Sequence, residues 1–362
     1  MESPLKYFAD VRDPRVDRTR EHLLEEILLL TIAAVLSGAS GWNEIEDYGR
    51  TKLDWFKSFL KLPGGIPSHD TFNRVFSGLD PEELERGFVA WVAAIAKLTA
   101  GEVVSIDGKA LRGTRGKKAI VHMVSAWANS NNLVLAQRRV DEKSNEITAI
   151  PKLLQALELS GTVVTIDAMG CQRSIAGQIV ERKADYILAV KENQGNLLEE
   201  VRDSFRMLAA DSVAEQIDCG HGRVERRTCS VIDDLTLLQK PSEWVSLKGL
   251  VRIQAERFHK ATGKTENQTR YYITSLSPDA TKLNQAIRQH WGIENKLHWI
   301  LDVAFGEDLS RKRAGHAAQN FSLINRLALN LLKQDKTSKL GIHGKRLKAG
   351  WDNHYLLKVL AN

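Results

Sequence analysis

The sequence predicts an α/β protein in which a mixed sheet is flanked by helices and preceded by an all-helical N-terminal domain. Three observations support this fold class. Residues 20–97 carry apolar residues at helical spacing, residues 102–140 contain short apolar segments separated by tight turns, and residues 147–190 alternate between helix and strand patterns. Antiparallel strands followed by alternating helices and strands favour a mixed sheet with helices on its faces.

The N-terminal domain, residues 1–100, is expected to be helical throughout. Four helices are predicted, over 20–36, 42–60, 69–76 and 81–98. Asp70-Thr71-Phe72-Asn73-Arg74 follows a short turn and resembles part of a helix-turn-helix. The domain holds 12 basic and 16 acidic residues, which disfavours contact with a polyanion. DNA binding and assembly therefore both stay open as its role.

The sheet is predicted to begin at residue 102. Strands are expected over 102–107, 120–127, 133–140, 162–167 and 186–190, with helices over 147–159, 172–183 and 196–208. A β-rich insertion at about 210–275 is predicted to precede the last helices, at 281–287, 291–303 and 317–333. The sequence thus indicates a main domain over 101–335 and a basic C-terminal tail over 336–362.

Charge and cysteine usage exclude several classes. The net charge is +6, composed of −4 over residues 1–100 and +10 over the rest, which fits either a polyanion partner or a solvated basic tail. Cys171, Cys219 and Cys229 form no CxxC motif, which argues against a disulfide framework. The most apolar stretch, residues 27–40, is shorter than the roughly 20 residues of a membrane span, so no membrane partner is expected. No P-loop motif is present.

Two apolar strands of similar build each end in aspartate. Val-Val-Ser-Ile leads to Asp107, and Val-Val-Thr-Ile leads to Asp167. Ligands usually bind outside the carboxyl ends of strands in α/β sheets, although a single such aspartate is more often a turn residue. A third carboxylate, Glu294, lies on a predicted late helix. The three together suggest a metal site.

Two zinc-type alternatives remain open at this point. Glu294, His298 and Asp302 form an i, i+4, i+8 column that could bind zinc or iron, although it leaves both aspartates unexplained. Cys219, His221 and Cys229 could also hold zinc, but a fourth ligand is missing. A solvated, salt-bridged helix face is the ordinary explanation of the column.

Several segments together resemble one family over nearly the whole chain. These segments are Asp13-Pro14-Arg15, 65–72, 105–109, Lys191-Glu192-Asn193-Gln194, His221-Gly222-Arg223 and, above all, 290–308. The chain resembles the insertion-sequence DDE transposases, in particular the branch that includes the H-repeat-associated proteins. The resemblance implies a ribonuclease-H-like catalytic domain that cuts DNA at element ends and joins the freed 3′-OH to target DNA.

The resemblance also implies the catalytic residues and the metal. Asp107, Asp167 and Glu294 correspond to the catalytic, metal-binding triad, spaced by 60 and 127 residues. Their hard oxygen ligands suit Mg²⁺, and Mn²⁺ can substitute. Double-stranded DNA is the implied partner, held by a homodimer, in the cytoplasm of a bacterium and associated with its nucleoid.

The chain departs from the Tyr-x2-Arg-x3-Glu-x6-Lys signature of many related transposases. His290 occupies the Arg position and Leu301 the Lys position, so His290 or Arg288 is expected to contact phosphate instead. Candidates for DNA contact are Lys109, Arg112, Arg115, Asn193, Gln194, Arg223, Arg288, His290, Asn295, His298, Arg311 and Arg313. Two alternative functions stay open: a structure-specific nuclease that does not join DNA, and a domesticated DNA-binding protein without catalysis.

Overall fold

The computed structural model describes residues 4–116, 120–140, 145–220 and 222–361. Thirteen α-helices lie within these residues. They are α1 Leu24–Leu36, α2 Trp42–Thr51, α3 Leu53–Lys57, α4 His69–Gly78, α5 Pro81–Ile95, α6 Glu146–Gln155, α7 Arg173–Glu181, α8 Gly195–Met207, α9 Ala280–His290, α10 Trp299–Phe305, α11 Ala317–Gln334, α12 Ile342–Trp351 and α13 Asn353–Leu360. A π-helical turn, Glu294–His298, leads directly into α10.

Nine strands form one sheet in the described part of the chain. They are β1 Val103–Leu111, β2 Val121–Ala128, β3 Leu133–Arg139, β4 Val163–Ile166, β5 Asp185–Val190, β6 Ser212–Gly220, β7 Arg223–Ile232, β8 Gly249–His259 and β9 Lys264–Thr274. Their order is β3-β2-β1-β4-β5-β9-β8-β7-β6. β1, β4 and β5 are parallel, and the remaining pairs are antiparallel. The predicted mixed α/β architecture is confirmed.

The two apolar strands are buried on both faces, which explains their continuous hydrophobic runs. Val104 and Ile106 belong to the large core that also contains the apolar residues of α6 and α7. Val103, one residue out of phase, belongs to a second cluster that includes Leu283 and Ile287 of α9. Side chains alternate between the faces of a strand, so the sheet is packed on both sides here.

The segment between α8 and α9, predicted to be β-rich, contains β6 to β9, which extend the same sheet. β9 pairs with β5 from Ile187↔Thr274 to Val190↔Tyr271, and β8, β7 and β6 follow outward. Trp244 lies before β8, in a turn that follows the 3-10 helix Pro241–Glu243.

The N-terminal and C-terminal helices pack against each other. α1 contacts α11 and α12, and α4 and α5 also contact α11. The alternative of a solvated tail is wrong for α12 and α13, since Leu356 and Val359 are fully buried. Arg346 is buried as well and donates hydrogen bonds to the carbonyl oxygens of Val35 and Ala39. Basic residues of this segment thus partly serve the fold.

Candidate active site

The parallel pairing of β1 and β4 places the two predicted aspartates side by side. Ile106 pairs with Ile166, so Asp107 and Asp167, the next residue on each strand, lie at the same level. Asp107 is followed by more strand, whereas Asp167 begins a 3-10 turn, Ala168–Gly170, and accepts a hydrogen bond from the Met169 N–H at 3.1 Å. The sheet therefore fixes both carboxylates at its carboxyl edge.

Glu294 reaches the same place from the π-helical turn. Its Oε2 lies 3.2 Å from His298 Nδ1, and the same nitrogen lies 3.5 Å from Asp107 Oδ2. A carboxylate can only accept, so we assign the hydrogen to Nδ1. His298 is buried, and its Nε2 meets no hydrogen-bond partner among the described residues. The imidazole N–H therefore lies between two carboxylates.

Asp107, Asp167 and Glu294 line one cavity of about 490 Å³. Among the described residues, Asp107, Glu294 and the adjacent His298 form a group that could hold a metal ion, with one ligand atom from each lying within 4.8 Å of the others. This group contains Asp107 and Glu294 of the predicted triad, but its third member is His298 instead of Asp167. Asp167 is adjacent through the strand register. All three predicted carboxylates are thus brought together around the same cavity.

The electrostatics of the cavity disfavour several negative charges at once. Burial raises the pKa of Asp107 to about 6; His298 opposes this, while Asp167 and Glu294 add to it. The pKa of Glu294 is lowered, chiefly by its hydrogen bond with His298. Like charges close together in a poorly solvated site repel, which a bound cation would relieve.

A fourth carboxylate at this site was missed by the sequence prediction. Glu146 is the first residue of α6, where Asn145 caps the helix by accepting from the Ile147 N–H. Burial, then Asp167 and Asp107, raises the pKa of Glu146 to about 7. A Cβ at Gly108 would overlap the Glu146 carboxylate, so the glycine gives that carboxylate room beside Asp107. The sequence carries only an ordinary helix-start signal here.

Lys109 does not face solvent where DNA would approach. It is buried, and its Nζ lies 2.7 Å from Asp302 Oδ2 and 3.2 Å from Asp308 Oδ1. The expected phosphate contact is therefore replaced by an ion-pair network that ties α10 to β1. The same network accounts for Asp302, so the proposed Glu294, His298 and Asp302 zinc column is wrong: its third member neutralises a lysine.

His290, the residue at the signature Arg position, is not a cation at neutral pH. Burial lowers its pKa to about 4, and its Nδ1 lies 2.9 Å from Thr165 Oγ1. It lines the carboxylate cavity as a neutral ring, so it offers a hydrogen bond rather than the charge of an arginine. Leu301, at the signature Lys position, is fully buried.

The Lys191-Glu192-Asn193-Gln194 segment supports the loop that follows Asp167. Asn193 donates its side-chain amide to Ala168 O at 2.6 Å, and Gln194 donates to Cys171 O at 2.8 Å. Both amides are used within the protein, so their structural role is to hold the Asp167 turn in place. This explains the segment without direct contact to DNA.

The other candidates for DNA contact fall into two groups. Arg112, Arg115, Arg311 and Arg313 are exposed on two loops that pack together, where Arg313 donates to Gly113 O at 3.1 Å. Arg223, Arg288 and Asn295 line a second cavity, of about 720 Å³. In that cavity Arg288 forms a 2.7 Å ion pair with Asp218, and Asn295 donates to Trp291 O.

The cysteine-based zinc site is wrong. Cys229 on β7 pairs with Ala214 of β6, five residues from Cys219 along that strand. At about 3.4 Å per residue the two cysteines are too far apart to share an ion. Cys229 is buried and Cys219 exposed. His221 lies outside the described residues, as do Lys117 and Lys118 of the basic loop after β1.

A scan against family models decides the classification. Residues 99–331 match the transposase DDE domain, and residues 5–92 match the DDE_Tnp_1-associated domain. The chain belongs to the DDE transposase family. The match covers the strands and helices that supply Asp107, Asp167 and Glu294, and the family's domains are metal-dependent.

Curated relatives of this DDE family member agree. The chain is 42% identical over 373 residues to YncI of Escherichia coli O157:H7, covering 100% of this chain and 95% of that protein. It is 41% identical over 370 residues to the H repeat-associated YhhI of Escherichia coli K12, covering 99% and 97%. Both relatives are named transposases provisionally. YbfQ of strain K12, named an inactive transposase, matches at 57% over 56 residues, which are 16% of this chain and 67% of that protein.

Membership of the DDE transposase family implies DNA binding. Within the described residues, no helix is both long enough and apolar enough to cross a bilayer. The family therefore supports the identification of this chain with insertion-sequence transposition.

Proposed function

We propose that this protein is a metal-dependent DNA transposase that cuts DNA at the ends of its element and joins the freed 3′-OH to target DNA. The observation that carries the proposal is the convergence of Asp107, Asp167 and Glu294 on one cavity at the carboxyl edge of parallel strands. Family membership over the same residues supports it.

We further propose that the catalytic domain is ribonuclease-H-like. Five strands in the order β3-β2-β1-β4-β5, in which β2 alone runs opposite to β1, β3, β4 and β5, support this proposal. On this proposal β6 to β9 are an insertion that widens the sheet. Residues 101–335 then form the catalytic domain, with residues 1–100 and 336–362 as the N-terminal domain and C-terminal segment.

The donor set fits a hard divalent cation. Carboxylate oxygens from Asp107, Asp167 and Glu294 are ligands that Mg²⁺ and Mn²⁺ accept. The pKa of Asp107 is raised by burial and further by the nearby carboxylates, and a bound cation would oppose both effects. Bound Mg²⁺ would activate water and stabilise the leaving oxygen of a phosphodiester. We assign Mg²⁺ as the cofactor, with Mn²⁺ able to replace it.

The protein's own residues orient this set. His298 donates from Nδ1 toward Glu294 and Asp107 and so holds both carboxylates. Lys109 fixes α10, and with it the turn that carries Glu294, to β1. Exposed arginines on the 112–115 and 311–313 loops would hold DNA phosphates, which gives affinity rather than sequence choice.

Joining two element ends requires both at once, so we propose a homodimer assembled on double-stranded DNA. Such a protein would act in the bacterial cytoplasm on the nucleoid. The N-terminal helices present an exposed Arg74 on α4, the second helix of the segment that resembles a helix-turn-helix, and either DNA binding or assembly fits it.

The test is cleavage of a labelled duplex carrying the DNA that flanks the protein's own gene. The wild type should nick it with Mg²⁺ and not with EDTA, and Asp167→Ala should lose about 10³-fold or more of the rate, because the proposed catalytic ion loses one of its ligands. Asp203→Ala, a partly exposed carboxylate on α8, should cut like the wild type.

Adding target DNA then separates the two enzymatic functions. Joined products identify a transposase, whereas nicking without joining identifies a structure-specific nuclease. Binding without any cutting, with Asp167→Ala equal to the wild type, would contradict catalysis and leave a domesticated DNA-binding protein.

A further inference from the structure

Next to the carboxylate cavity lies a second cavity with the opposite charge, which we call the arginine cavity. It measures about 720 Å³. Its basic lining residues are Arg223, Arg227, Arg257, Arg270, Arg288 and Lys296. Glu225 is the one acidic residue among the described residues that line it. A surplus of positive charge on this scale indicates an anionic ligand.

One arginine in this cavity is buried without full internal compensation. Arg227 is only 6% exposed, and its Nε meets no hydrogen-bond partner among the described residues. Burial, followed by the nearby Arg288, lowers its pKa. A buried guanidinium with an unused N–H costs free energy unless a ligand accepts from it. Because Arg227 also lines the cavity, an anion bound there would lie beside this under-compensated guanidinium.

The sheet explains why the arginines converge. Glu225 pairs with Arg257 across β7 and β8, and Arg227 pairs with Gln216 across β6 and β7. Residues two apart on a strand share a face, so Arg223 and Arg227 point to the same side as Glu225. α9 packs on this face and adds Arg288. The cavity is therefore built from regular structure rather than from loose surface side chains.

The two cavities share a wall. Arg270 and Trp291 line both, and the Arg270 guanidinium stacks 4.4 Å from the centre of the Trp291 ring. Trp291 is 40% exposed and lies three residues before Glu294. A chain of phosphates that passes the carboxylates would therefore enter the arginine cavity next.

The size of the cavity restricts the ligand. Its volume lies in the range of small-molecule sites, about 300–1,000 Å³, which admits one or two nucleotides but not a duplex. Proteins that bind single strands combine a basic groove with an aromatic ring, as Arg227 and Trp291 do here. We propose that the arginine cavity binds the sugar–phosphate backbone of an unpaired DNA strand that leaves the carboxylate site. This rests on the proposed function.

The test compares DNA ends by fluorescence anisotropy with the full chain in EDTA, so that no cutting occurs. One labelled duplex ends flush, and the others carry a short single-stranded extension on one strand or the other. We expect the duplex with one of the two extensions to bind about ten-fold tighter than the flush duplex. The slope of log K against log salt concentration should be steeper by about 0.7 for each added phosphate contact. Equal binding of all three would overturn the proposal.

Variants locate the effect. Arg227→Gln should abolish the preference for the extended end and leave flush-end binding unchanged. Arg226→Gln is the matched control, because Arg226 neighbours Arg227 on β7 but points to the opposite face, toward Glu215. Should Arg227→Gln fail to fold by circular dichroism, Arg257→Gln decides, since Arg257 is less buried. Equal losses in Arg226→Gln and the cavity variants would overturn the assignment.

The experiments distinguish failure of the arginine-cavity proposal from failure of the proposed transposase function. Asp167→Ala should keep the preference for the extended end in EDTA while losing cleavage in Mg²⁺. Cleavage that depends on Asp167, together with no preference between ends, would refute the arginine cavity and leave the transposase intact. A preference for the extended end without any cleavage would support the binding site and refute the catalytic function.

Discussion

The two halves of the sheet carry opposite charges in adjacent cavities. On the β1–β5 half, Asp107 and Glu294 share one histidine N–H, and burial raises the pKa of Asp107. On the β6–β9 half, six cationic residues surround a cavity with one acid among the described residues. The halves meet at Arg270 and Trp291, yet the charges do not pair across the wall.

A third group of charged residues, around Lys109, differs from both cavities because its charges form ion pairs within the protein. Lys109 is buried and forms ion pairs with both Asp302 and Asp308. The same chain thus neutralises charge internally where only stability is needed. We infer that the carboxylate and arginine cavities are neutralised only in part because their remaining counter-charges arrive with cation and DNA.

The largest expected effect comes from breaking the cluster that is neutralised. Lys109→Ala removes a buried cation from two half-buried carboxylates, and breaking a buried pair costs at most roughly 3–5 kcal/mol of the free energy of unfolding. Chemical denaturation monitored by circular dichroism measures it.

Arg112→Ala is the matched control for that experiment. Arg112 contacts the same Asp308 at 3.5 Å, but its side chain is 80% exposed. An exposed pair contributes roughly 0–1 kcal/mol, so the change should stay below that value. Equal effects of the two substitutions would contradict the distinction between neutralised and unneutralised clusters.

The next effect depends on pH. The pKa of Asp107 is raised from 3.8 to about 6, so the stabilisation it gives in the metal-free protein is complete below pH 3.8 and is lost as pH rises through about 6. Relative to Asp107→Asn, the wild type should lose up to about 3 kcal/mol of the free energy of unfolding over this range.

Magnesium should reverse that loss. Mg²⁺ binds the ionised carboxylates, so it should raise the melting temperature of the wild type at pH 8 and change it little at pH 5, and it should not affect Asp107→Asn at either pH. If the stability of the wild type is independent of pH and Mg²⁺, the carboxylates around Asp107 do not repel one another in the metal-free protein, and the proposed metal site is contradicted.

The smallest effect concerns the carboxylate missed in the sequence. Glu146→Gln keeps the shape beside Gly108 but removes the charge facing Asp107 and Asp167. We expect the Mg²⁺ affinity, measured as the Mg²⁺ concentration that gives half-maximal cleavage, to be about 10–100-fold weaker. Glu158→Gln, an exposed glutamate just after α6, is the control. An unchanged Mg²⁺ titration for Glu146→Gln would place Glu146 outside the metal site.

Much of the fold was predictable because its central elements have strong local patterns. The continuous apolar runs before Asp107 and Asp167 predicted buried strands, and the structure contains β1 and β4 there. β6 was harder, since this edge strand has intermediate and exposed residues along its length and lacks an apolar face. The assignment of catalytic roles to Asp107, Asp167 and Glu294 stays a prediction.

Contacts between distant residues explain what the sequence could not predict. Lys109 follows Asp107 and Gly108 in an exposed-looking basic loop, and only the fold brings Asp302, 193 residues away, to its Nζ. Likewise Arg346 is buried through Val35, 311 residues away. A charged side chain carries no local signal that distinguishes a phosphate contact from an internal ion pair.

The continuity of the sheet has a geometric consequence. From β4, which leads to Asp167, to β7, which carries Arg227, there are four steps across β5, β9 and β8. At about 4.8 Å for each step, the strand pairing sets a separation of about 19 Å. The sheet thus fixes the distance between the two sites. Changes in the length of the hairpin loops would leave this distance unchanged, and only the gain or loss of a whole strand would alter it.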